Sequence, residues 1–339
     1  MVFKRLLGSL GVGGPSVDTV LDPGAVAPGG TVAGQVHLQG GGADFAIEHI
    51  TLELVARVEA EHAEGESEGL VVFHQHVVAG GFRLAGDERR SVPFSFVLPW
   101  ETPVTELYGQ DLGVVLGVRT ELGVAGARDK GDLDPLAVRP LPVQEAVLEA
   151  FGQLGFGFRS ADLELGRIGG TGQQLPFYQE IELIPAPRYA HRVDEIEVTF
   201  LADPAGLEVV LEADKRSGFG SEGHDALARF TVGHQDVDRT DWNAEVEGWI
   251  RQLVEHRAPY AHDAHQDHHA HHGHHGHHDE GHRSGPGVGT AVAAGAAGLA
   301  VGVVGGMVAA EVVDEVGDFF EGDDDEGGDE DYGDEGGED

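Results

Sequence analysis

A period of two constrains this chain more than any other feature. At Leu52, Leu54, Ala56 and Val58 every second residue is apolar, while Glu53, Arg57 and Glu59 occupy positions between them. Successive side chains of a strand point to opposite faces, so the run predicts a half-buried antiparallel strand with a core side and a wet side. Similar runs occur at 31–38, 69–78, 91–98 and 113–124, separated by turn-forming pieces such as Pro28-Gly29-Gly30, Gly40-Gly41-Gly42 and Gly86-Asp87. Short strands between regular turns predict an antiparallel β-sandwich over residues 1–141.

Near Pro142 the period changes. Val143, Val147, Leu148, Phe151 and Leu154 follow helical spacing, with Pro142 suited to a first turn and Gly155 to a stop, which predicts one helix joining two sandwiches. Alternation then resumes at 156–165, 178–184, 193–201, 207–213 and 226–232, with Ile196, Val198 and Phe200 on one side. A last helix over 241–254, capped by Thr240 or Asp241, places Trp242, Val246, Trp249, Ile250 and Leu253 along one face and is expected to cover an open sheet. Residues 142–256 therefore read as a second sandwich, and the chain as mainly β with a C-terminal helix. No fixed internal repeat is visible.

Composition narrows the function. The 339 residues carry 60 acids, 21 Lys and Arg, 20 His and no Cys, so disulfides, thiolate metal sites and cysteine nucleophiles are excluded. Sixteen acids and no base follow residue 310, yet the rest of the chain is still acidic, within a formal net charge of −39. No run of Lys or Arg exceeds two residues, which argues against nucleic acid and favours cationic protein partners. Nothing in the sequence sets an oligomeric state.

The ends differ from the middle. Residues 2–10 place Phe3, Leu6, Leu7 and Leu10 on one side of a short amphipathic helix with Lys4 and Arg5 opposite. The run is too brief and too glycine-broken for a secretory signal, so a cytoplasmic protein is expected, with this helix packed against the first domain and peripheral membrane contact as its alternative use. Residues 257–283 form a His-rich linker, 284–313 a Gly/Ala/Val segment with small-xxx-small steps, and 314–339 an acidic, disordered low-complexity tail. His262, His265, His268, His269, His271, His272, His274, His275, His277, His278 and His282 supply neutral imidazoles that suit zinc or nickel. Their spacing defines no single tetrahedral site, so the expected binding is multi-site, and no cofactor is required.

Catalytic signals are weak. Gly218 to Gly223 reads G-x-G-x-x-G, but the alternation after it is a strand where a dinucleotide site needs a helix. Asp236, Asp238 and Thr240 begin like a calcium loop, but Asp241 stands where glycine is needed. Glu180 and Glu182 share one strand face, with nothing nearby in sequence to raise their pKa. Trp242 and Trp249, seven apart, are expected in the core. The chain is therefore read as a non-enzyme.

Several stretches resemble a known family. The pieces are FKRLLGSLGVG from Phe3 followed by Val17-Asp18-Thr19, DLDPLAVRP at 132–140, LEAFGQLGF at 148–156, LPFYQEIELIP at 175–185 and RTDW at 239–242. Together they resemble the bacterial sporulation-control proteins of stage zero, type M, across about residues 1–256. The resemblance implies an arrestin-like fold, two antiparallel β-sandwiches in tandem. It also implies regulation of sporulation or cell differentiation through protein interaction, with no catalytic residues. A metal-buffering protein acting through the His tract and a membrane-peripheral scaffold are the alternatives.

Overall fold

The computed structural model describes residues 13–62, 65–126, 130–215 and 226–255. The first layer is a three-stranded antiparallel sheet in which β2 (Thr31–Gln39) lies between β1 (Ser16–Leu21) and β5 (Arg89–Val97). Its alternating residues Val32, Val36, Leu38, Phe94 and Phe96 are buried, which is the period-two signal turned into a core face. Opposite it stand β3 (Phe45–His62), β4 (Gly65–Leu84), β8 (Leu116–Val124) and β9 (Lys130–Pro135). A small hairpin of β6 (Glu106–Leu107) and β7 (Gln110–Asp111) precedes β8.

On β3 the inward set changes phase, from Ile47 to Ile50, Leu52, Leu54, Ala56 and Val58. The register against β8 shifts between Ile47 and His49, and against β4 between Ile50 and Thr51 and again between Leu54 and Val55. These bulges absorb the odd residues and let one long strand keep a continuous apolar face. Val55, on the other face, is buried as well.

The second half is one antiparallel layer, β10 (Gly157–Leu165), β11 (Phe177–Ile184), β12 (Val193–Ala202), β13 (Gly206–Lys215) and β14 (Ala226–Gly233). It joins the first through a parallel bridge between Glu164 of β10 and Glu59 of β3. Its inner residues Ile181, Leu183, Ile196, Val198, Val209 and Leu211 are covered by α1 (Pro142–Gln153) and α2 (Trp242–Glu255). The helix expected to link the halves is thus part of the second core, with Val143, Val147 and Phe151 buried, because it carries an apolar stripe that a free linker could not keep in water.

Both helices obey their sequence signals. The Leu141 N–H donates to the Gln144 side-chain carbonyl at 2.8 Å, just before Pro142. At the other end Gly155 takes φ +93°, Gly155 N–H bonds Gly152 O and Phe156 N–H bonds Phe151 O, each at 3.0 Å. That paired closure needs a left-handed residue, and Phe151 meets Phe156 edge-on at 5.4 Å above it. In α2, Asp241 Oδ1 accepts from Ala244 N–H, and Trp249 stacks on Phe230 of β14 at 4.8 Å. Trp242 packs against the same cluster, so both tryptophans serve the core as expected.

Among the described residues no helix is long and apolar enough to cross a membrane. The N-terminal amphipathic stretch, the His tract, the Gly/Ala/Val segment, the acidic tail and the 218–223 glycines lie outside the described residues. The last of these sit between β13 and β14, which pair as neighbours from Ala213 and Ala226 outward.

Candidate functional site

Strand register assembles a carboxylate face that no local sequence signal announces. On the outer side of the second sheet Asp162 of β10 lies opposite Glu180 of β11, and Glu164 opposite Tyr178. Glu182 of β11 lies opposite Glu197 of β12, which in turn faces Glu212 of β13. Like charges on facing strands repel, so this face costs stability wherever its acids stay ionised. Carboxylate oxygens of Asp162, Glu164 and Glu180 come within 4.8 Å of one another.

The electrostatic consequence is concentrated at Glu180. Burial first, then the charges of Glu197, Asp162, Glu164 and Glu212, push its pKa up to about 9. Glu180 therefore carries a proton at neutral pH, contrary to the expectation that nothing near it perturbs its titration. The sequence places its strand neighbours but not the acids brought across from β10, β12 and β13. Burial, then Glu180, Glu164, Glu212 and Glu197, hold the Tyr178 phenol far above its usual range. A cavity of about 20 Å³ between Tyr178, Glu180, Glu197 and Glu212 has room for about one water.

Cations mark the margins of this face. Arg159 pairs with Glu195 and lies 3.9 Å from Glu182, whose carboxylate also accepts from Ser160 Oγ at 2.7 Å. At the far edge Arg229 of β14 stands 3.6 Å from Glu208. Chemically, the centre can share protons among carboxyls or present negative charge to a cationic partner.

Beside this face lies the junction of the two halves. The Gln179 side chain donates to Val104 O at 2.8 Å and accepts from Val104 N–H at 3.0 Å, so one amide reads a peptide group across the junction. Glu101 accepts from the backbone N–H groups of Gln174 and Leu175 at 2.8 Å each. The Trp100 ring rests on Gly29, where a Cβ would lie 2.6 Å from the indole and φ is +70°, and it meets the His234 ring at 5.2 Å. A glycine is required there by both space and backbone. Leu163, Leu175 and Phe177 reach into the first core, while Trp100 and Ala27 pack against the second.

A second buried acid belongs to the DLDP piece. Burial, then Asp132 and Asp18, raise Asp134 to about 7, while Asp132 accepts the Thr19 N–H at 2.6 Å. The residues that begin like a calcium loop are engaged elsewhere. Asp236 turns back to accept Gly233 N–H at 2.8 Å, Asp241 caps α2, and Glu247 pairs with Arg188 at 2.8 Å. The predicted histidine ligands lie outside the described residues. Among the described residues, only Asp162, Glu164 and Glu180 gather at the spacing a metal ion needs.

Of the stretches on which the resemblance rests, LPFYQEIELIP supplies Tyr178, Gln179, Glu180 and Glu182 to the junction and this face. A model of the family described as "SpoOM protein" matches residues 3–217. This chain belongs to the SpoOM protein family. Its similarity to the Bacillus subtilis (strain 168) sporulation-control protein spo0M is 38% identity over 264 residues, 76% of this chain and 98% of the relative. The crystal structure of Spo0M from Bacillus subtilis superposes with a TM-score of 0.61 at 31% identity, covering 72% of this chain and 99% of that one. The family match ends at residue 217, just after β13 and well before the His tract, so it does not extend to the low-complexity tail.

Proposed function

We propose that this chain is a sporulation or cell-differentiation regulator that works as a protein-interaction adaptor, without catalysis and without a required cofactor. The observation that supports the regulatory role is 38% identity to a sporulation-control protein across 98% of that relative's length. The adaptor mechanism draws on the carboxylate face of β10–β13 and on the outer edge of β14, which among the described residues pairs with no strand beyond β13 and offers backbone groups to a partner strand. A cationic protein surface is the partner chemistry that complements this face. Placing this chain in a Bacillus subtilis strain lacking its relative tests the role: restored sporulation control is expected, and failure with normal protein levels removes the reading.

Eleven histidines within residues 261–282 favour a second reading, zinc or nickel buffering through the tract. Calorimetric titration of zinc into the full chain and into a chain lacking 261–282 separates the two. An adaptor keeps its captured partners after the deletion, and a metal buffer loses its role.

A further inference from the structure

The helices that cover the second sheet stop short of its β10 edge. α2 packs over β13 and β14, and α1 lies against α2 and reaches β10. Between α1, the β6–β7 hairpin and the inner side of β10 and β11, an apolar groove of about 420 Å³ opens. Leu148, Phe151, Phe156 and Phe158 line it, with Ile181 and Leu183 on the sheet side. Two aromatic rings stand exposed at its rim. The β10 register shift between Phe158 and Ser160 leaves Phe158 opposite Leu183 and 46% exposed. In the β6–β7 turn Tyr108 and Gly109 take φ +52° and +73°. A tight hairpin uses that left-handed pair, but a bulky residue rarely adopts it, so the fold carries strain to hold the Tyr108 ring, 61% exposed, at the groove.

The rim is acidic. Glu149 is the one charged residue lining the groove, and Glu145 precedes it by one turn of α1. After burial, the charges of Glu149 and Glu145 hold the Tyr108 phenol above its usual range, which sets both carboxylates near the ring. Arg159, next to Phe158 in the chain, is engaged by Glu195. Exposed aromatic rings over an apolar floor are the usual anchors of a protein interface. The layer that the groove interrupts is helical, so an amphipathic helix continues it, with its apolar stripe on the sheet as those of α1 and α2 already are. The acids of the rim select Lys or Arg on the flanks of that helix. The chain's own tail has the wrong sign, since Phe319 and Phe320 lie in a stretch with sixteen acids and no base after residue 310.

We propose that the groove is a docking site for an amphipathic helix of a partner protein, whose apolar stripe packs on Phe158, Tyr108 and Leu183 and whose flanking Lys or Arg residues face Glu145 and Glu149. This extends the adaptor reading to a surface separate from the carboxylate face. The test uses the full chain with two synthetic helical peptides of equal length, one of Leu and Lys and one of Leu and Glu. Each carries a photoreactive benzoylphenylalanine in its apolar stripe. Affinity is read by fluorescence polarisation, and the site by cross-linking and peptide mapping. The Leu–Lys peptide is expected to bind and to mark the segments that hold Tyr108 and Phe158, and the Leu–Glu peptide to bind at least about tenfold more weakly. Phe158→Asp and Tyr108→Asp, both at exposed positions, each weaken the Leu–Lys peptide by about tenfold or more with an unchanged far-UV CD spectrum. Glu145→Lys together with Glu149→Lys transfers the preference to the Leu–Glu peptide. Cross-links confined to residues 311–339 or to the carboxylate face overturn the proposal, as does equal affinity for the two peptides, which would mark a neutral apolar ligand. So does a solution mass above one chain that Phe158→Asp lowers, which would seat a second copy in the groove. Because the peptides are synthetic, such a failure strikes the groove alone and leaves the complementation test of the regulatory role standing.

Discussion

Glu53 and Glu180 both sit mid-strand among neighbours on either side, yet they live in opposite surroundings. Glu53 faces Gln75 on β4 and Arg119 on β8. It accepts from Gln75 Nε2 at 2.7 Å and lies 2.6 Å from Arg119 Nη2, and it is 6% exposed. Glu180 meets Asp162 across one strand boundary and Glu197 beyond the other, and it responds by keeping its proton. The first half satisfies a buried charge with a cation. The second half crowds like charges until one is neutralised, which leaves a face able to change charge with its surroundings.

The sharpest way to break this comparison is to remove the cation from the satisfied side. Arg119→Leu leaves Glu53 buried and uncompensated, with an expected loss of about 3–5 kcal/mol in urea unfolding. An unchanged midpoint would make the pair as dispensable as a surface one. Next comes the crowded side. The folded pKa of Glu180, about 9, stands above the ordinary glutamate value of 4.5, so between those pH values the native state holds a proton that the unfolded chain has released. Stability therefore falls as pH rises through that window, by up to about 1.4 kcal/mol per unit. Glu180→Gln is expected to flatten this fall and to stabilise the protein at pH 8 by on the order of 2 kcal/mol, read by urea unfolding at stepped pH. An identical slope in the variant removes Glu180 as its source. Asp134→Asn flattens the slope only below about pH 7, where Asp134 titrates in the fold.

Two smaller effects calibrate the scale. Gln179→Ala deletes both hydrogen bonds to Val104 and is expected to cost about 1–3 kcal/mol, with thermal unfolding as the readout. Arg159→Ala removes an ion pair at the margin of the carboxylate face, where solvent screens the charge. Its expected cost is below about 1 kcal/mol, and a larger loss in a double-mutant cycle with Glu195→Gln would make that margin part of the folded core.

Much of the fold is legible in the residues. The stripe from Val143 to Phe151 with Pro142 and Gly155 at its ends marks α1, and Trp242 to Leu253 marks α2, because a buried helix shows its period directly. Strands are legible for the same reason, except where bulges on β3 and β4 switch the period mid-strand. The carboxylate face is not legible. Glu180 and Glu197 are 17 residues apart, and each looks like an ordinary solvated acid until register sets their strands side by side. The Gln179 contact to Val104 is hidden in the same way, since its partner lies 75 residues upstream.

By itself the sequence determined what is local: which segments alternate, which wind, where glycine and proline end them, and that disulfides and thiolate sites are excluded. Family resemblance was also local, carried by short pieces. Only the tertiary structure decided which acids meet, which glutamate keeps its proton, and that the helix after residue 141 belongs to the second core. Periodicity is a property of one strand, whereas a titration or a junction is set by distances between strands that the chain brings together only when it folds.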